Sequence, residues 1–166
     1  MKKYVLDANC FIDAMNSSST SHVAIHKILL AAKQKILEVC VSLHTIHELE
    51  KKNDGALNLA QSLPKVSHWP IGMWKEQVGS WDQQSGTWDD ARKNQEIQEE
   101  LEELAKSGND VRDRGAFIDA LCSGCDGFIT SDKQFVGKGP AERINDRFAT
   151  KVLNPKQVVN EILGGR

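Results

Sequence analysis

Apolar residues crowd into four short runs: Lys3–Leu6 (KYVL), Val39–Leu43 (VCVSL), Gly127–Thr130 (GFIT) and Lys151–Leu153 (KVL). None alternates strictly between apolar and polar positions. Each is therefore predicted as a strand buried on both faces, the pattern of a parallel sheet covered by helices. Between the runs the spacing becomes helical. Over His22–Lys35, Ile25, Ile28, Leu29 and Ala32 follow the i, i+3, i+4, i+7 rule, with Ser19, Thr20 or Ser21 available as a cap. Ala91–Lys106 carries Ile97, Leu101, Leu104 and Ala105 as a stripe on a charged segment, and Gly108 is a suitable stop. Val111–Cys122 and Pro155–Leu163 give two further helices, the second with proline in its first turn. Strands alternating with helices predict an α/β fold: a three-layer α/β/α sandwich around a central, mainly parallel sheet.

Pro64–Asp90 breaks this rhythm. It holds all four tryptophans, Trp69, Trp74, Trp81 and Trp88, the last three at intervals of seven. On a helix they would form one stripe, but Gly79, Gly86 and several serines and glutamines weaken a continuous helix there. The segment is expected to be an insertion whose rings fill a satellite core or a subunit contact; the competing reading is a stacking platform for single-stranded RNA. With 166 residues, the chain suits one domain spanning 1–166, with the insertion at about 64–90.

Composition narrows the class without naming it. Hydrophobic content of 40% and charged content of 27% are those of a soluble globular protein, and no stretch reaches the length of a membrane span. Asp7, Asn9 and Asp13 interrupt the apolar start, so a signal peptide is not expected and a cytoplasmic location is. Cys10, Cys40, Cys122 and Cys125 sit in apolar segments, where thiols act as small hydrophobes. Cys122-x-x-Cys125 has no second pair at zinc spacing, so it is expected to pack rather than ligate. A net charge of −2 excludes a broadly basic nucleic-acid binder but not a nuclease with an acidic centre. The pairs Lys33/Lys35, Lys51/Lys52, Arg112/Arg114 and Arg143/Arg147 remain available for phosphates or simply for solvent.

The carboxylates change the picture most. Asp7 directly follows the first strand, Glu48 comes shortly after the second, and Asp132 follows the third. Ligands of open parallel sheets bind just beyond the carboxyl ends of the strands, so these acids converge on that rim. Asp113 opens the helix that leads into the third strand, and that helix begins at the same rim. Singly, each has a structural explanation: a strand end, a capping box begun by Thr45, a helix N-terminus, a turn. Together they raise an electrostatic problem. Two unit charges about 4 Å apart repel by ~1 kcal/mol in water and ~4 kcal/mol at an effective dielectric near 20. A hard divalent cation, Mg²⁺ or Mn²⁺, relieves this and prefers carboxylate oxygens. Metal-assisted phosphodiester hydrolysis is the matching chemistry. Asp110 and Asp126 are left open as further members.

The motifs around these acids resemble those of the PIN-domain ribonucleases. Val5-Leu6-Asp7-Ala8-Asn9-Cys10-Phe11-Ile12-Asp13 looks like their opening strand, with Asp-x-Asn between apolar pairs. Ser42-x-x-Thr45-x-x-Glu48-Leu49 resembles the second motif, and Asp113-Arg-Gly-Ala-Phe-Ile-Asp-Ala-Leu121 the third. Gly127-Phe-Ile-Thr130-Ser-Asp132-Lys-Gln-Phe135 is similar to the Thr-x-Asp block, and Val152-Leu153-Asn154-Pro155 to the closing strand and its proline-led helix. The likeness spans nearly the whole chain outside Pro64–Asp90. It implies a Mg²⁺- or Mn²⁺-dependent endoribonuclease with Asp7, Glu48, Asp113 and Asp132 as its catalytic metal ligands. It also implies VapC-like toxins of type II toxin–antitoxin pairs, with an RNA substrate, an antitoxin partner and a homodimer. The insertion departs from the shortest toxin members.

Rival chemistries find less support. His22 and His26, spaced i, i+4, could hold a metal on one helix face, but polar neighbours make capping or exposed roles the expectation. His44 and His47 flank Glu48 in the wrong order for a His-Glu-x-x-His zinc motif. Neither a Gly-x-Ser-x-Gly elbow nor a P-loop is present. Two alternatives stay open: a non-catalytic PIN-like scaffold that binds RNA or protein, and an aspartate-nucleophile phosphatase or receiver. The latter needs a second acid beside Asp7, where this chain has Ala8-Asn9.

Overall fold

A computed structural model describes residues 1–52, 54–66, 99, 111–132 and 140–164, with the side chains of 111–114, 140, 141, 143 and 144 outside that description. Its elements run in the order β1 (Lys3–Leu6), α1 (Ala8–Ala14), α2 (His22–Lys33), β2 (Glu38–Ser42), α3 (Leu43–Leu49), α4 (Asp54–Gln61) and β3 (Lys65–Val66). After residue 110 come α5 (Val111–Cys122), β4 (Gly127–Ile129), α6 (Pro140–Arg147), β5 (Lys151–Leu153) and α7 (Pro155–Glu161). The five strands form one sheet in the order β3-β2-β1-β4-β5, and every pairing is parallel.

Strand alternation sorts the core into two halves. Tyr4, Leu6, Val39, Val41 and Ile129 face one side, where α1, α2, α4 and α7 supply Phe11, Ile25, Ile28, Ala56 and Val158. Val5, Cys40, Phe128 and Val152 face the other, where α5 supplies Ala116, Phe117, Ile118 and Ala120. Phe117 meets the Phe128 ring edge to face, with centroids 5.7 Å apart. Each fully buried side chain of this size contributes about 1.5–3 kcal/mol, enough to hold two helical layers on the sheet. The expected three-layer α/β sandwich is therefore what the chain forms.

Gly127 shows how tightly the strands must meet. It lies opposite Tyr4 in the β1–β4 register, and a Cβ there would stand 2.7 Å from the tyrosine ring. Burial, and then the nearby Asp126 carboxylate, pushes the Tyr4 phenol up to about 12.

Several elements differ from the sequence expectation. The short helices α1, α3, α4 and α6 were not expected; α1 and α3 have seven residues each, too few to display a helical period. The second strand starts one residue earlier and ends one earlier than expected, because Ser42, the last residue of the ladder, also caps α3 and turns Leu43 into the helix. β3 opens inside the stretch assigned to the insertion, as a two-residue edge strand beside β2. The remainder of that stretch with its four tryptophans, and the helix expected over Ala91–Lys106 apart from Glu99, lie outside the described residues. Among the described residues, no helix is long and apolar enough to cross a membrane.

Candidate functional site

Asp7 sits where β1 ends and α1 begins, in the middle of the sheet, and is 1% exposed. Its own amide donates to the Ile129 carbonyl at 2.9 Å, so the backbone is locked to the end of β4. As the N-cap of α1, its Oδ1 accepts the Ala8 N–H at 2.8 Å. Its Oδ2 accepts the Thr130 hydroxyl at 2.8 Å. A buried carboxylate is tolerable only with such donors around it.

Thr130 serves a second acid as well. Its Oγ1 accepts the backbone N–H of Asp132 at 3.0 Å, which turns the loop after β4 back over the rim. The next residue reinforces this: the Ser131 hydroxyl donates to Asp13 Oδ2 on α1 at 2.9 Å. One threonine thus bonds both the Asp7 carboxylate and the Asp132 backbone amide, and Asp13, Thr130 and Ser131 are supporting residues to which the sequence assigns no role on its own.

Glu48 lies one layer out. It is carried on α3, and its carboxylate accepts from Lys52 Nζ at 2.7 Å on the following turn. The capping box proposed for Thr45 does not form. Ser42 is the N-cap, accepting the His44 N–H at 3.1 Å, so Glu48 falls later in the helix than that motif needs. Thr45 instead turns inward, and among the described residues its Oγ1 is buried with no hydrogen-bond partner. Most buried hydroxyls in native proteins have one.

Asp113 lies in the first turn of α5, with its side chain outside the description. The same helix carries an acid that sequence reasoning passed over. Asp119 is 1% exposed amid Phe117, Ile118 and Ala120, and its Oδ2 accepts the Ser42 hydroxyl at 2.6 Å. His44 Nε2 stands 3.7 Å from the same oxygen. Even so, burial, followed by the neighbouring His47, lowers the His44 pKa below its ordinary value; desolvation outweighs the carboxylate. The signal was present in the sequence as one charged residue inside the apolar run Ala116-Phe-Ile-Asp-Ala-Leu121.

The remaining candidates separate cleanly. Asp126 is excluded by position: its carboxylate accepts the Lys3 N–H at 2.8 Å, at the opposite end of the sheet. Asp110 lies outside the described residues. His22 Nδ1 and His26 Nε2 meet the Asp13 and Ala14 carbonyls at 3.1 and 2.9 Å, so both histidines tie down the end of α1, the capping role expected of them. All four cysteines are free thiols. An apolar groove of about 520 Å³, lined by Met15, Leu29, Leu37, Leu59 and Leu63, lies away from the acids.

The acids that meet the rim offer oxygen donors alone, the kind that suits Mg²⁺ or Mn²⁺. Among the described residues, no three His, Cys, Asp or Glu side chains gather closely enough to hold an ion.

No family model matches the chain, and no curated protein matches it. A solved structure is similar in fold: the crystal structure of VapBC2 from Rickettsia felis bound to a DNA fragment from their promoter. The TM-score is 0.54 at 15% identity, covering 92% of this chain and 98% of that one. The PIN-like α/β architecture expected from the sequence is thereby matched in a known protein.

Proposed function

We propose that the chain is a divalent-cation-dependent endoribonuclease that hydrolyses RNA phosphodiester bonds. The observation that carries this reading is the Asp7–Thr130–Asp132 arrangement, a buried acid at the end of the central strand sharing one hydroxyl with the loop that bears a second acid. Asp7 and Asp132, joined by Asp113 and Glu48, would hold Mg²⁺ or Mn²⁺. When bound, such an ion polarises a phosphoryl oxygen and makes hydroxide available near neutral pH. Asp7, held by Ala8, Thr130 and the Ile129 carbonyl, fixes the position of the centre. Thr130 keeps Asp132 in reach of it. Glu48 exchanges Lys52 for the site.

The R. felis neighbour is a VapBC2 assembly bound to promoter DNA. This supports assigning the chain a toxin role with an antitoxin protein as partner. A second copy of the chain is a further proposed partner, which light scattering reads directly. Arrest of bacterial growth on expression, relieved by Asp132→Asn, tests the toxin role; harmless expression of the wild type defeats it.

The deciding experiment incubates purified protein with single-stranded RNA in Mn²⁺, in Mg²⁺ and in EDTA. Cleavage is expected with either metal, none in EDTA, and little from Asp7→Asn. Equal cleavage in EDTA, or by Asp7→Asn, rejects the mechanism.

A further inference from the structure

A carboxylate buried on the apolar face of α5 is an expensive place for a charge, since removal from water disfavours it unless donors compensate. Asp119 occupies such a position at 1% exposure, between Ile118 and Ala120 in the core under the sheet. What it holds is informative. Its Oδ2 accepts the Ser42 hydroxyl at 2.6 Å, the short distance of a charge-assisted bond. Ser42 ends β2 and caps α3, so the same oxygen atom that donates to Asp119 accepts the first-turn N–H of His44. The His44 ring closes the other side, 3.7 Å from the carboxylate. It packs so near α5 that a Cβ on Gly115 would stand 3.1 Å from it. Three contacts therefore fasten α5 to the start of α3. Asp113 rides on the first of these helices and Glu48 on the second.

We propose that Asp119 is a positioning residue: through Ser42 it sets where the Glu48 helix and the Asp113 helix stand relative to each other, and hence the metal affinity of the rim. This rests on the nuclease reading above. In this role Asp119 acts through Ser42 and His44 and not as a ligand of the ion. Groups that orient ligands in this indirect way typically change metal affinity by about 10- to 100-fold when removed.

A purely structural brace would lower stability without singling out the metal. The test therefore compares Asp119→Ala, Asp119→Asn and the control Ile118→Val, whose residue is buried beside Asp119 but faces no polar partner in the site. Mn²⁺ alone is the probe, titrated calorimetrically well below each variant's melting temperature. Amide exchange over His44–Glu48 is read in parallel without metal. The expected result is Mn²⁺ affinity about 10- to 100-fold weaker and faster exchange in α3 for Asp119→Ala. Asp119→Asn, whose carboxamide oxygen still accepts from Ser42, should recover most of both, and Ile118→Val should match wild type. Wild-type affinity in Asp119→Ala, or equal weakening in Ile118→Val, overturns the positioning role alone. Wild-type protein that takes up no Mn²⁺ overturns the nuclease reading and this role with it.

Discussion

The rim of the sheet has two halves built on different materials. Asp7 stands at the end of β1 and Asp132 in the loop after β4, where the ladder and the Thr130 hydroxyl, shared by the Asp7 carboxylate and the Asp132 amide, hold them. Glu48 and Asp113 stand on α3 and α5, which meet through side chains. Glu48 spends its carboxylate on Lys52, a lysine 52% exposed. A strand end bonded on both sides has nowhere to go, whereas Glu48, itself 14% exposed, is paired with a lysine whose charged end reaches solvent and can let go at modest cost. The strand half is prepared before any ligand arrives. The helix half is adjustable, and its adjustment is where regulation can enter.

Losing the strand half should have the largest effect. Asp7→Asn should reduce Mn²⁺-dependent RNA cleavage by about a hundredfold or more, beyond what loss of an outer-shell group does, with the far-ultraviolet circular dichroism unchanged. Retained activity would mean that the centre lies elsewhere. Thr130→Val should follow. It strips a donor from buried Asp7 and an acceptor from the Asp132 N–H, so thermal unfolding should register a loss of about 1–3 kcal/mol. Unchanged stability would show that the two acids are not held through that hydroxyl.

The helix half should respond in the opposite direction. Lys52→Ala removes the lysine partner of Glu48, and Mn²⁺ affinity should rise about two- to fivefold, the equivalent of a single ion pair open to solvent on one side. Stability should hardly change. Weaker Mn²⁺ binding in this variant would place Lys52, rather than Glu48, in the working site.

The smallest effect concerns His44. Its folded pKa lies below the ordinary value of 6.5, so between the two the unfolded chain binds a proton that the folded chain refuses. Stability is fully present above that ordinary value and is lost as pH falls through it toward the folded pKa. The melting temperature of wild type should therefore drop more between pH 7 and pH 5 than that of His44→Gln. Parallel slopes would remove His44 from the balance between the helices.

The strand half was also the legible half. Continuous apolar runs marked β1, β2, β4 and β5 to within a residue or two, and an acid directly after a buried strand can only lie at the rim. Asn154 and Gln157 form the capping box at the start of α7, beside the proline that announced it. The helix half was harder to read because its decisive contacts join residues far apart in the chain. Ser42 and Asp119 are separated by 77 positions, and no local pattern pairs them. Helices of seven or eight residues such as α3 and α4 are likewise stabilised by what they pack on, which periodicity does not report. Glu48 follows β2 on α3, but its Lys52 partner follows from side-chain reach that sequence spacing alone leaves undecided.

The strand order has a consequence in time. β1 is made first yet ends up in the middle, and its partner β4 arrives much later; Thr130 follows Asp7 by 123 positions. Parallel neighbours need long crossovers, and pairings between distant segments form slowly. During synthesis the chain emerges from its N-terminus. Asp7, α1 and α2 are therefore out of the ribosome long before the threonine that secures the acid exists. The centre has a birth order, with the acid early and its lock 123 positions later. A growing chain cannot close the rim around Asp7 until the 123 positions to Thr130 have been made, so the acid waits on its lock through all of that synthesis.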